Sequence, residues 1–176
     1  EQFKMYSKNS PEIIHIATHG FYMQDESSEK QNEIISEGIS LKKCGLVFAG
    51  ANQSVLGRHN IPDDVDDGIL SASEISKLEF GNTSLVVMSA CQTGLGDIND
   101  DGVFGLQRAF KKAGVNSILM SMWNVDDHVT QIFMTEFYKG IATGLTKHQA
   151  LVQAQQYVIQ NYGNNPRYWA PFVLLD

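Results

Sequence analysis

The sequence predicts an α/β fold with a mostly parallel central sheet and helices on both faces. Three observations carry this expectation. Short apolar, β-branched runs without polar alternation stand at 12–18, 85–90 and 117–122, as strands buried on both sides do. Helical segments follow the second and third of these runs, at 103–113 and 126–141. The chain is 43% hydrophobic and 19% charged over 176 residues, enough to bury the core of one domain.

The elements follow in order. Residues 2–6 read as the tail of a helix that begins upstream. The run 12–18 is too short for a typical helix and is assigned as one buried strand. Residues 21–32 are polar and loop-like. Residues 38–49, with Ile39, Leu41, Leu46, Val47 and Phe48, suggest a hairpin. Residues 52–68 form a long exposed loop with acids at Asp63, Asp64, Asp66 and Asp67. Ser71 and Glu74 make a capping-box pattern that opens a helix over 72–78. The strand 85–90 leads to the helix 103–113, whose apolar positions are Phe104, Leu106, Ala109, Phe110 and Ala113, with Gly114 at the cap. The strand 117–122 precedes a helix over 126–141 with acids in its first turn, as the helix dipole favours. Thr146 and Gln149 form a second capping box, opening a helix to about Tyr162. Residues 169–175 close the chain as a strand. No repeat, low-complexity tract or second core interrupts this order, so a single domain over 1–176 is expected.

Composition excludes several function classes. A net charge of −7 lacks the basic footprint of a nucleic-acid binder. No apolar run has the length of a membrane span, so no membrane partner is expected. Two cysteines, Cys44 and Cys91, do not make a disulfide framework, which points to a reducing, cytoplasmic compartment. There is no phosphate loop and no dinucleotide fingerprint. His15 and His19 have the spacing of a helical zinc site, but Ile16 stands where Glu belongs and the stretch reads as a strand. His15 is therefore read as a satisfied core histidine. Residues 97–102 match half of a calcium loop, yet Arg108 occupies the twelfth position, and a solvated acidic turn is the simpler reading.

In an open parallel sheet, sites form beyond the carboxyl ends of the strands. His19 and Gly20 follow the first strand. Cys91, Gln92, Thr93 and Gly94 follow the second. Trp123, Asn124, Val125, Asp126 and Asp127 follow the third. A histidine, a cysteine and an acidic pair thus share one rim. An imidazole beside a thiol raises its thiolate fraction and later protonates a leaving amine. Gly20 allows close approach of a substrate, and its N–H, with that of Cys91, suits an oxyanion. On the residues alone, the pair also has a plain packing reading, and Cys44 is read as a buried small hydrophobe.

The sequence around His19 and Gly20, together with Ser89-Ala90-Cys91-Gln92-Thr93-Gly94, resembles the CHAT family of caspase-like cysteine proteases related to separases. The likeness continues through 102–110, 121–127 and 169–176, in the family's order. It departs from the caspase pattern proper, which has Gln-Ala-Cys with its histidine about fifty residues upstream. Here Ser89 and Ala90 precede Cys91, and 72 residues separate the pair. The resemblance implies a caspase-like three-layer fold and peptide-bond hydrolysis without a cofactor. It places the family histidine on His19, the nucleophile on Cys91 and the oxyanion glycine on Gly20. It also implies a C-terminal module, without its first strand, behind TPR or other sensor domains and switched on by a partner.

By the same resemblance, residues 121–125 run beside a protein substrate that adds as a strand, with Trp123 walling a subsite and Asn124 beside it. A buried carboxylate from Asp126 or Asp127 would select Arg or Lys. The simpler role for either acid is a helix cap, and one of the two is expected to do only that. Loops 21–32 and 52–68 are candidates for gating, and Lys30, Lys42, Lys43 and Arg58 for self-cleavage. The rival function is a latent or silent adaptor that works by binding.

Overall fold

The computed structural model of the chain describes residues 2–22, 41, 44–51, 67–89 and 100–176. Its elements are α1 Gln2–Met5, β1 Ile13–Ile16, β2 His19–Tyr22, β3 Cys44–Val47, β4 Ile69–Ser71, α2 Ala72–Ile75, β5 Leu85–Met88, α3 Asp100–Lys112, β6 Ser117–Ser121, α4 Asp127–Ala142, α5 Lys147–Tyr162, α6 Pro166–Trp169 and β7 Phe172–Leu175.

The main sheet has the order β1-β5-β6-β7. β1, β5 and β6 are parallel, with Ile16 opposite Met88 and Met88 opposite Met120. β7 joins antiparallel, Phe172 opposite Ser121. Strand alternation sorts the core into two faces. Val86, Met88, Ile118 and Met120 pack with Leu106, Ala109 and Phe110 of α3 and with Ala113 just past its end. Leu85, Val87 and Leu119 pack with Val129, Phe133 and Phe137 of α4 and Ala150, Ala154 and Val158 of α5. Both faces are covered, which is why these strands carry no polar alternation. The three-layer α/β expectation is met.

The cap signals are met as well. Ser71 and Glu74 form a reciprocal capping box, and so do Thr146 and Gln149. Gly114 adopts φ +97°, its N–H donates to Lys111 O at 3.1 Å, and the Val115 N–H donates to Phe110 O at 3.1 Å. That double bond pattern is a Schellman ending, and the left-handed turn it needs is cheapest for glycine. Cys44 is fully buried, and burial pushes its thiol up to about 11, so it packs as the sequence suggests.

The structure corrects five boundaries. The run 12–18 is not one strand. β1 ends at Ile16, and after Ala17 and Thr18 the chain enters β2 in a second sheet. The loop-like stretch 21–32 therefore opens on the strand residues Phe21 and Tyr22. The hairpin expected over 38–49 gives way to β3 as the centre of an antiparallel sheet, β2-β3-β4. Gly45 lies opposite Phe21, and a Cβ there would sit 2.8 Å from the Phe21 ring, so the aromatic covers the glycine. The helix over 72–78 stops at Ile75, and Trp169 belongs to α6, not to the last strand. Among the described residues, no helix is long and apolar enough to cross a membrane.

Candidate active site

The junction of the two sheets builds the site. Beyond the last β1–β5 pair, the Ser89 N–H donates to Ile16 O at 3.2 Å, which carries the ladder one residue further. The chain then leaves the main sheet at Ala17. The Thr18 hydroxyl donates to Val47 O and ties the crossing to β3. His19 follows as the first residue of β2, opposite Val47, and its side chain is exposed. The histidine is thus held by a ladder and not by a flexible turn. Gly20 lies opposite Leu46 in β2 and is buried.

His19 opens onto a cleft of about 560 Å³. One wall is the carboxyl rim of β1 and β5, with His15, Ala17, Thr18 and Ser89. The other is a stripe along α4: Asp127, Thr130, Gln131, Met134, Thr135 and Tyr138. These positions recur every three or four residues and so share one helix face. Thr130 Oγ1 is buried there without a hydrogen-bond partner among the described residues.

His15 differs from its sequence reading. It is satisfied but not in the core. Its residue surface is exposed, because among the described residues β1 pairs on one side only and α4 covers it only in part. Nε2 lies 3.1 Å from Ser89 Oγ and Nδ1 lies 3.0 Å from the Tyr138 hydroxyl. The ring also packs beside that of Tyr138, with centroids 5.7 Å apart. Burial of the ring lowers the His15 pKa, and burial pushes the Tyr138 phenol up to about 12. Both are neutral groups at neutral pH. His15 and His19 stand on strands of different sheets, so the helical zinc geometry is absent.

The two acids divide as capping chemistry dictates. Asp126 is the N-cap of α4 and accepts from the N–H groups of His128 at 2.9 Å and Val129 at 3.2 Å. Asp127 is free of that duty and lines the cleft. Neither is buried, so the carboxylate floor expected from the sequence is instead an exposed carboxylate on the cleft wall. Trp123 is 40% exposed, and its Nε1–H donates to Arg167 O at 3.3 Å, which rests the indole on α6. Asn124 is exposed beside it. Ser121 already pairs with Phe172, and the Met122 N–H donates to Pro171 O at 2.8 Å. Ser121 and Met122 of the expected substrate-pairing stretch are therefore already engaged by the C-terminal segment.

Cys91, Gln92, Thr93 and Gly94 lie outside the described residues, as do residues 97–99 of the acidic turn expected at 97–102, most of both candidate gating loops, and Lys30, Lys42, Lys43 and Arg58, while residues 100–102 of that expected turn open α3. Tyr138, Ser89 and Gln131 are site residues that sequence reasoning missed. For Tyr138 and Gln131 the only signal is a polar stripe on a helix, which reads equally as a solvated face, and Ser89 stands in the sequence only as the start of the motif at 89–94.

Comparison with known proteins gives a match of residues 1–175 to the family model described as the CHAT domain. Tetratricopeptide repeat protein 28 of Homo sapiens is 30% identical over 128 residues, 65% of this chain. The protein of that name from Mus musculus is 31% identical over 108 residues, 61% of this chain. The matched stretches are 5% and 4% of those two proteins, so the chain spans a small fraction of either.

Proposed function

The chain belongs to the CHAT domain family, and from that membership we propose that it is a cysteine endopeptidase domain acting through His19 and Cys91. One observation supports this most. His19 is exposed at the carboxyl rim of a parallel sheet, in a cleft also lined by Ser89, two residues ahead of Cys91 in the sequence. In this reading, the Cys91 thiolate attacks the scissile carbonyl carbon and forms a C–S bond. The Gly20 and Cys91 N–H groups hold the resulting oxyanion. Among the described residues β2 pairs only with β3, so alternate N–H groups on it point away from that strand. As the C–N bond breaks, His19 passes a proton to the leaving amine. Water, deprotonated by His19, then hydrolyses the thioester and restores the thiol. The substrate is a protein, and no cofactor enters.

The matched relatives carry tetratricopeptide repeats in their name. A module of that kind, upstream or as a partner, fits the role of activator, and a reducing cytoplasm suits the thiol. Covalent labelling tests the assignment. An Arg-chloromethyl ketone is expected to label the chain at neutral pH, with labelling lost in Cys91→Ala and His19→Ala and kept in Cys44→Ala. No labelling, even with the partner present, would favour an adaptor that works by binding.

Specificity is assigned to Asp127, since Asp126 is occupied by the α4 cap. Asp127→Asn is expected to lower kcat/KM for cleavage after Arg by about 10- to 100-fold, the scale of one charge-assisted hydrogen bond. Asp126→Ala is expected to lose ~1 kcal/mol of stability with the Arg preference kept. Peptide libraries and thermal unfolding of the two variants check both outcomes, and equal effects would overturn the division of roles.

A further inference from the structure

His15 has no part in that chemistry, yet both of its ring nitrogens are engaged. Its partners come from distant parts of the chain: Ser89, just past the end of β5, and Tyr138, in the last third of α4. A neutral imidazole has one N–H donor and one acceptor nitrogen. A phenol is a stronger hydrogen-bond donor than an aliphatic alcohol and a weaker acceptor. The consistent arrangement has Tyr138 O–H donating to Nδ1, and His15 Nε2–H donating to Ser89 Oγ. The Ser89 proton is then left over. Ser89 is already gripped through its backbone by the bond to Ile16 O at 3.2 Å, and it lines the cleft.

We propose that His15 is a positioning residue: Tyr138 fixes it in the Nε2–H tautomer, and it in turn holds Ser89 so that the serine hydroxyl donates into the cleft. The acceptor is a backbone carbonyl of a bound extended peptide, the commonest acceptor such a substrate offers. This last step rests on the protease reading, while the relay itself does not.

Two measurements separate them. Nitrogen-15 NMR of the ring is expected to show His15 protonated at Nε2 in the wild-type chain and a mixture of tautomers in Tyr138→Phe. Protonation at Nδ1 in the wild type would overturn the relay. In cleavage of an Arg peptide by the full chain with its activator, Ser89→Ala is expected to lower kcat/KM about three- to tenfold, and Ser89→Thr to restore it. Tyr138→Phe is expected to cost about threefold in the wild-type background and nothing further in Ser89→Ala. Additive losses would mean that Tyr138 acts only on stability, and would also overturn the proposal. If Tyr138→Phe fails to fold, the wild-type tautomer decides. If the wild-type chain cleaves no peptide, the protease reading falls and the NMR result still decides the relay.

Discussion

Replacing His19 with alanine is expected to cut peptide hydrolysis by about 10²- to 10⁴-fold, the usual worth of a general acid–base. The expectation follows from where the residue sits. Its backbone belongs to the β2–β3 ladder, opposite Val47, and alanine keeps that pairing. Its side chain is exposed in the cleft, so removing it leaves no cavity. Stability should therefore change by no more than about 0.5 kcal/mol, as for most surface substitutions. A large loss of rate without a loss of stability is the mark of a group that acts on substrate. Cys91→Ala should abolish the reaction, and adding His19→Ala to it should cost nothing more, because members of one catalytic unit are not additive. Steady-state kinetics on an Arg peptide, beside thermal unfolding, check the prediction. A His19→Ala chain within tenfold of wild type would remove His19 from the mechanism. His15→Ala provides the contrast. It should lose far less rate, since His15 works through Ser89 and not on the reacting atoms.

The same pair of histidines shows what could be read from the sequence. The runs at 85–90 and 117–122 were legible because both faces of β5 and β6 are covered, and burial on both sides leaves a continuous apolar signature. The helices at α4 and α5 were legible because their caps are local chemistry: Asp126, Thr146 and Gln149 bond within their own first turns. The break between β1 and β2 was not. Ile16, Ala17, Thr18 and His19 run on without punctuation, and the transfer to a second sheet depends on β3, some thirty residues away, through Val47. The small sheet was missed for the same reason: β2-β3-β4 is set by pairing across long connections, which no local pattern records. For the candidate site, the rim rule brought His19 and Asp127 to one end of the sheet, where both line the cleft, while the α4 wall required knowing which face of that helix turns inward.

Phe133→Ala is expected to cost ~3–5 kcal/mol, the range for truncating a buried aromatic. Phe133 is fully buried in α4 and stacks on Phe172 of β7, with ring centroids 4.2 Å apart and planes 24° from parallel. It thus joins the helix that walls the cleft to β7, which enters the main sheet antiparallel to β6. Alanine removes the stack as well as the apolar area, and the second ring loses its partner on one side. For a chain of 176 residues, each kcal/mol moves the midpoint by about 2–4 °C, so a fall of roughly 6–20 °C is expected. Phe133→Leu should cost less, because it keeps most of the volume and loses only the ring contact. The effect on rate should be the reverse of that of His19→Ala. Phe133 lies in the apolar core between α4 and the sheet, whereas Asp127, Thr130, Gln131 and Tyr138 line the cleft. Below its lowered midpoint, the Phe133→Ala chain should keep its kcat/KM within a few-fold. A collapse of kcat/KM in still-folded protein would mean that the core contact sets the geometry of the cleft wall, and would make α4 a single rigid unit from core to cleft.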